Sequence, residues 1–449
     1  MNAANPQKKA FVVGAGICGL AAAWRLKQAG YAVEVFERED RASGRVKSIE
    51  LAGNTIDTGA TVFLPAYAET LALINEMGLT SELQPIRGSV VFPREGRLHE
   101  LDMQRPLAAL FTRVIGWRSK LSLLKLVWRF LKLRKQLNFT NLGEARADDV
   151  DTLADYCRGR FPDEVYRYVL NPAIKFLYIH NGDTGSTIEL LWWMHANGLG
   201  QPRSLRRGSS SLTDALAAQV TVHTGSEVTR VARDGDGVAL TYRDASGTLQ
   251  TAQAEVCVVT TPSPISAQIC VDGLTPRQRK ILSERRYEAC TVVSFCTKKR
   301  PAIDALMFML PDDFEPDLAT VIFGHNIGHS RVPADRGVIN AYFMARWSDQ
   351  YANADDATVV AAARERLRRW LPEVDDTLAT NVQRWPFTAA IADVGDCAKI
   401  ADYDADIDPD SPIQVIGDFQ VQASMNVGVA VANAAVRRLL ARRSATTAR

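Results

Sequence analysis

The run Gly14-Ala15-Gly16-Ile17-Cys18-Gly19 constrains this chain more than any other feature. It follows directly on an apolar run of strand length, Ala10 to Val13. It opens a helical stretch in which Leu20, Trp24 and Ala29 share one face and Gly30 supplies a C-terminal stop. A second strand, Ala32 to Phe36, then ends in Glu37. In that order the three glycines do different things. Gly14 permits the tight turn, Gly16 lets the backbone approach a pyrophosphate, and Gly19 lets the helix close on the strand. Ala15 and Cys18 complete the loop, and the helix start offers unpaired N–H groups to phosphates. Glu37, followed by Arg38, stands where a carboxylate accepts hydrogen bonds from a ribose diol and repels a 2′-phosphate. Together these elements predict a dinucleotide site. Lys8 and Lys9 before the apolar stretch Ala10 to Trp24 mimic an export signal, but three regularly placed glycines fit the loop better. No other segment offers the ~20 uncharged apolar residues of a membrane span.

The chain has 449 residues, enough for two or three domains at about 150 residues each. At 47% hydrophobic and 23% charged it reads as globular, and a formal charge of +2 gives no reason to expect nucleic acid. The seven cysteines are scattered, odd in number and never spaced C-x-x-C. They predict neither a disulfide framework nor a metal site, and point to a reducing, cytoplasmic setting.

Just after Glu37 comes Arg41-Ala42-Ser43-Gly44-Arg45, and a dozen residues later Ile56-Asp57-Thr58-Gly59-Ala60. With the glycine loop, these segments resemble the flavin amine oxidase superfamily, which includes protoporphyrinogen oxidases and phytoene-type desaturases. That family carries Arg-x-Gly-Gly-Arg and a later Asp-x-Gly-Ala turn; here Ser43 replaces the first paired glycine, while Gly44 and Arg45 keep the rest. The resemblance implies FAD, with Arg45 neutralising its pyrophosphate and the Gly59-Ala60 backbone passing the isoalloxazine ring. It also implies that the strand within Val220 to Tyr242 returns to the nucleotide domain, Val228 meeting the adenine through its backbone. Ala254 to Thr261 reads as a buried parallel strand of the same sheet. Near the C-terminus, Ile413 to Ile416 leads into Gly417-Asp418, and Ser424-Met425-Asn426-Val427-Gly428 opens a helix expected to end around Leu440, before a basic, disordered tail. By resemblance Asp418 binds the ribityl chain. The helix start, with Met425 and Asn426, faces the flavin pyrimidine, where its partial positive charge suits a reduced ring. No Cys or His near Gly417 is placed for attachment, so FAD is expected to be non-covalent.

The fold expected is α/β: a Rossmann-type FAD-binding domain with an interleaved α+β substrate domain. Residues 1–86, 212–271 and 384–449 are assigned to FAD binding and 87–211 and 272–383 to the substrate domain. The first insertion reads as mostly helical. The second holds strand-like runs Cys290 to Cys296, Ala319 to Phe323 and Val338 to Met344, then a helix from Ala357 to Trp370.

Between Arg113 and Lys135 eight basic residues and no acid alternate with Trp117, Leu121, Leu124, Trp128 and Leu131. The plain expectation is a cap helix with its apolar side inward; the alternative is peripheral contact with an anionic bilayer. The clusters Phe176 to Ile179 and Leu190 to Met194 read as core. His180 and His195 flank them and are structural unless a substrate lies near. The alternating aspartates Asp402 to Asp410 read as a solvated loop, since Ile407 and Ile413 stand where a calcium loop needs glycine and glutamate.

Family amine oxidases often carry a substrate-domain lysine and a framing tyrosine; here Ala289-Cys290-Thr291-Val292-Val293 has no lysine and Asp418 to Ser424 no tyrosine. The favoured reading is an FAD-dependent dehydrogenase, oxidase or desaturase that takes hydride from a C–H bond of a lipophilic or conjugated small molecule and passes electrons to oxygen or another acceptor. Amine oxidation, redox-neutral isomerisation and a non-catalytic nucleotide-fold binding module remain as alternatives. No catalytic residue is assigned.

Overall fold

The computed structural model describes residues 8–102, 111–198, 200–328 and 330–447, with side chains as far as 441. A five-stranded, all-parallel sheet draws on three distant parts of the chain, in the order Ile413–Val415, Val256–Val259, Lys9–Val13, Ala32–Phe36 and Thr221–His223. Val256–Val259 and Ala10–Val13 at its centre are continuously apolar and buried because both faces are covered, whereas Ala32–Phe36 carries the partly buried Glu34. One face carries the helix Ile17–Gln28 and, alongside it, the long helix Met425–Thr447. The other packs Phe11, Val13 and Phe36 against an antiparallel layer of Glu227–Asp234, Gly237–Arg243 and Leu249–Ala254.

A second, seven-stranded sheet runs Thr377–Ala390, Tyr287–Thr297, Gly337–Phe343, Leu318–Phe323, Met307–Met309, Ser89–Arg94 and Arg97–Asp102. The first insertion thus begins with two strands before its helices, Val90 to Phe92 being a short apolar run that pairs with Met307 and Phe308. Strand Thr377–Ala390 runs across position 384, where the last segment was expected to begin. A buried ion pair joins the two halves: Arg331 holds Asp57, which also accepts from Ser48 Oγ at 2.6 Å and the Ser209 amide at 2.9 Å.

Three expectations are corrected. Asp402 and Asp404 lie on the helix Asp396–Ala405, not in a solvated loop; Asp404 accepts a hydrogen bond from Gln420 at 3.3 Å, and burial raises its pKa. The C-terminal helix passes Leu440 and continues to Thr447; the last two residues of the tail lie outside the described residues. The basic segment forms helices Trp117–Ser122 and Leu124–Leu133, but Leu126 and Leu133 face the core while Trp117 and Trp128 face outward.

Of the two clusters expected to be core, Tyr178, Ile179, Leu190, Leu191 and Trp192 are buried, while Phe176, Leu177, Trp193 and Met194 are half-buried against the core. His180 is buried with them, its Nε2 2.9 Å from Glu189 Oε2 and its Nδ1 2.9 Å from the Asn181 carbonyl. Glu189 Oε1 accepts from the Ala392 amide at 2.7 Å and from Gln422, tying this helix to the C-terminal segment. Nδ1 also lies 3.1 Å from the Thr184 hydroxyl, so its neighbours accommodate either ring form, and the Glu189 carboxylate beside Nε2 is the group that favours the imidazolium. Burial opposes that charge, but Glu189 outweighs it and raises the His180 pKa. The stabilisation from this shift is complete below the unfolded value of about 6.5 and is lost as pH rises through the higher folded value. His180→Gln is therefore expected to flatten the decline of the thermal unfolding midpoint on the alkaline side of neutrality. Identical pH profiles for the two proteins would mean that His180 is neutral when folded.

Candidate cofactor and substrate site

The glycine loop leaves the central strand with the Gly14 amide bonded to the Phe36 carbonyl at 2.8 Å. A Cβ on Gly19 would lie 1.9 Å from the Gly14 carbonyl oxygen, so only glycine lets the helix close this tightly on the loop. The helix starts at Ile17 with Gly16 as its cap, and no side chain caps it and no acid occupies its first turn. The second loop meets the first here: Gly16 bridges Ser43, and Gly44, at φ +54°, would put a Cβ 2.9 Å from Gly16 Cα. Ser43 is buried and does not have positive φ, so the missing glycine is not required at that position.

Glu37 is buried beneath the loop, accepting from the Ala15 amide at 2.7 Å and the Glu39 amide at 3.0 Å. Each carboxylate oxygen retains acceptor capacity beyond these bonds. Arg38 points outward and pairs with Glu39 at 3.0 Å. Val228 is buried on the edge strand of the antiparallel layer, two residues beyond Ser226, whose amide donates to the Glu37 carbonyl at 2.7 Å.

Arg45 and Asp418 meet across this loop pair. The guanidinium donates to Asp418 at 2.6 Å and to the Thr388 carbonyl at 2.9 Å, and the Tyr287 hydroxyl donates to the other Asp418 oxygen at 3.1 Å. Burial disfavours the charge on Arg45, but Asp418 outweighs it and raises the arginine pKa. Arg45 nonetheless keeps 37% of its side chain accessible. Burial, with Asp418 adding to it, pushes the Cys18 thiol up and keeps it protonated. Gly417 is extended and its amide donates to Gln420. Met425 is buried at the start of the C-terminal helix, which lies against the loop helix: a Cβ on Gly428 would stand 3.2 Å from Ile17 and 3.4 Å from Cys18. The Asn426 side chain is committed elsewhere, its oxygen accepting from the Thr70 amide at 2.9 Å.

The turn at Gly59-Ala60 leans on Arg45, whose carbonyl accepts from the Ala60 amide at 2.9 Å. Trp385 fixes the same turn by donating its indole N–H to the Thr58 carbonyl at 2.8 Å. Trp385 and Tyr342, both partly accessible, pack on a buried apolar group that includes Ile179, Cys290 and Met344. Ile179 ends its helix at φ +66°, a left-handed conformation that strains a β-branched residue. Sequence reasoning missed Tyr287, Tyr342, Trp385 and Thr388, because none stands in a motif; the only signal was that the strand bearing Trp385 and Thr388 precedes Gly417 closely. His180 pairs with Glu189, as described above. His195 is half-buried beside Phe139, and burial lowers its pKa. Lys175, the only buried lysine among the described residues, donates to Asp312 at 2.7 Å and to the Glu315 carbonyl at 3.3 Å. No group of metal-ligating side chains forms among the described residues.

These features fit a flavin dinucleotide. A glycine-rich loop and a helix start that no side chain caps suit a pyrophosphate, and Arg45 supplies the countercharge. The family model for flavin containing amine oxidoreductase matches residues 17–419. Coproporphyrinogen III oxidase of Mycobacterium tuberculosis is 25% identical over 407 residues, covering 83% of this chain and 85% of that one. Protoporphyrinogen oxidase 2 of Arabidopsis thaliana is 29% identical over 168 residues, 37% of this chain, and the match spans about a third (32%) of that protein's length. Cyclohexylamine oxidase from Brevibacterium oxydans shares the fold with a TM-score of 0.72 at 18% identity, covering 97% of this chain and all of that one. With the family matched from the glycine-loop helix to the segment of Asp418, the chain belongs to the flavin containing amine oxidoreductases and is a flavin-dependent oxidoreductase.

Proposed function

We propose that the chain holds FAD without a covalent bond and oxidises a C–H bond of a lipophilic or conjugated small molecule. The observation that carries this reading is the meeting of the Gly14–Gly19 loop, Gly44-Arg45 and Asp418 beside two helix starts, near the apolar group on which Tyr342 and Trp385 pack. Bound flavin supplies a hydride acceptor at N5 and returns the electrons to oxygen or another acceptor. The chain's own residues bind and orient. Gly14, Ala15, Gly16, Cys18 and Gly19 surround the pyrophosphate with Gly44 and Arg45. Glu37, with Arg38 beside it, accepts from the ribose, and the Val228 backbone meets the adenine. Gly417 and Asp418 serve the ribityl chain, while Gly59, Ala60, Met425 and Asn426 border the ring. The five spans ending at 86, 211, 271, 383 and 449 alternate between cofactor and substrate roles. Seven free thiols, six of them buried, fit a reducing, cytoplasmic setting. No helix among the described residues is long and apolar enough to cross a membrane.

Desaturation or dehydrogenation of a carbon skeleton is favoured over amine oxidation by the absence of a lysine on strand Tyr287–Thr297 and by the engagement of Lys175 with Asp312.

Acid precipitation of the purified protein is expected to leave the yellow colour in the supernatant; colour in the pellet would mean a covalent flavin. Glu37→Ala should weaken FAD binding by about 1–3 kcal/mol, the scale of hydrogen bonds to a charged group, as read by titrating apoprotein with FAD. Unchanged affinity would remove Glu37 from the ribose. Ligands that co-purify and are identified by mass spectrometry provide the substrate for anaerobic stopped-flow. Flavin bleaching should slow when the transferred hydrogen is deuterium, and its rate should not follow the free-amine fraction of any substrate nitrogen. A rate that tracks that fraction would establish amine oxidation, and turnover without bleaching would favour isomerisation.

A further inference from the structure

Helices Trp117–Ser122 and Leu124–Leu133 carry two apolar stripes rather than one. Leu123, Leu126, Phe130 and Leu133 recur at three- and four-residue steps and pack on the protein interior. Trp117, Leu121, Leu124, Trp128 and Leu131 repeat at the same spacing on the other side, with exposures of 67, 56, 62, 69 and 50%. Seven of the twelve large apolar side chains exposed among the described residues fall between Phe111 and Leu131. A helix that needed only to cap the domain would place charge on its outer side, because exposed indoles gain nothing from water.

The charges beside the outer stripe have one sign. Arg118, Lys125 and Lys132, seven residues apart, are exposed on the same side, and Arg113, Arg134 and Lys135 are exposed at its ends. No acid occurs between Arg113 and Lys135. Arg129, turned inward to Asp151 at 3.2 Å, and the partly buried Lys120, which donates to the Thr112 carbonyl at 2.6 Å, are the exceptions. The Arg118 guanidinium lies 5.5 Å from the Trp117 ring centroid, which places charge and indole at one level. A second copy of the chain on this face would set like charges against each other. A bilayer with anionic headgroups satisfies both components: the headgroups take the cations, and the layer beneath takes the tryptophan and leucine side chains. The 17 residues from Trp117 to Leu133 span about 25 Å as helix, but their charges preclude crossing, so they lie in the plane of the interface.

We infer that the outer face of Trp117–Leu133 is a docking surface for anionic lipid bilayers, Trp117 and Trp128 entering the interfacial layer and the flanking arginines and lysines contacting the headgroups. The inner stripe of the same helices reaches the cluster behind them: Leu123 packs against the same buried group, with Val114, Ile115 and Tyr168, on which Val169, Phe176 and Tyr342 also pack. Docking therefore brings the wall that bears Tyr342 toward the phase in which an apolar substrate dissolves. That last consequence rests on the proposed substrate class; the lipid contact does not.

The test uses the full-length flavoprotein and vesicles of phosphatidylcholine alone or mixed equally with phosphatidylglycerol, with no substrate present. Flotation at low salt should recover the protein with the anionic vesicles, and salt should release it. Trp117→Ser with Trp128→Ser, and separately Lys125→Gln with Lys132→Gln, should each weaken partitioning, the latter by about fivefold per charge removed. Both variants should keep the flavin spectrum and thermal midpoint of the parent, since all four side chains are exposed and the one bond removed, from Lys125 to the Arg160 carbonyl at 2.8 Å, lies at the surface. No binding to anionic vesicles at low salt would overturn the inference, as would equal binding by either variant. A concentration-dependent dimer of the parent that the Trp117→Ser, Trp128→Ser variant abolishes would also overturn it, assigning the face to a second copy. If vesicles bind as described but the flavin is not reduced by any apolar ligand, the docking surface stands and the proposed substrate class fails.

Discussion

The ion pair between Arg45 and Asp418 joins residues 373 positions apart, and the geometry of the site depends on it. Asp418 is nearly buried, and its carboxylate oxygens are met by the Arg45 guanidinium and the Tyr287 hydroxyl. A carboxylate taken out of water without such partners would protonate or move, so the C-terminal segment holds its place only because the Arg45 loop is there. That loop is positioned in turn by contact of Gly44 with Gly16 at a distance no larger residue permits. Backbone approach, charge pairing and the start of the C-terminal helix thus form one linked arrangement. The Tyr287 hydroxyl also accepts from the Ser263 amide, which brings in the strand of the second sheet as well.

The same arrangement places the substrate half. Strand Thr377–Ala390 begins on the seven-stranded sheet and ends among cofactor-site residues, contributing the Thr388 carbonyl to Arg45 and the Trp385 indole to the Thr58 carbonyl. The wall of Ile179, Tyr342 and Trp385 is therefore tied rigidly to the Gly59-Ala60 turn. Tyr342 is the one ionisable side chain of this wall and burial holds its phenol protonated, while the buried His180 and Lys175 are occupied by Glu189 and Asp312. In such a site the cofactor carries the chemistry, and the protein contributes position, exclusion of water and a charge environment set by two helix starts. The strained left-handed Ile179, at the end of its helix and inside this wall, persists because core packing on both sides leaves it no alternative.

The outward Trp117 and Trp128 stripe follows from the same economy of surface. Two apolar stripes on one helix cannot both face a single core, since residues two positions apart point to nearly opposite sides. The stripe containing Leu126 and Leu133 occupies the interior, which leaves the tryptophan stripe exposed whatever its hydrophobicity.

The glycine loop, the second strand ending in Glu37, the Arg45 segment and the Gly417-Asp418 segment were all legible in the residues, and so was the interleaving of a parallel sheet with a second unit. These are local demands: a positive φ, a close backbone approach or an apolar run of strand length is written within a few neighbouring positions. Tyr287, Trp385, Thr388 and the Asp57–Arg331 pair were not legible, because their meaning lies in partners that arrive from more than a hundred residues away. Nor could sequence decide which stripe of the basic helices turns inward, or that Asp402 and Asp404 continue a helix. Periodicity reports that a face is apolar; only the tertiary structure decides what, if anything, stands against it.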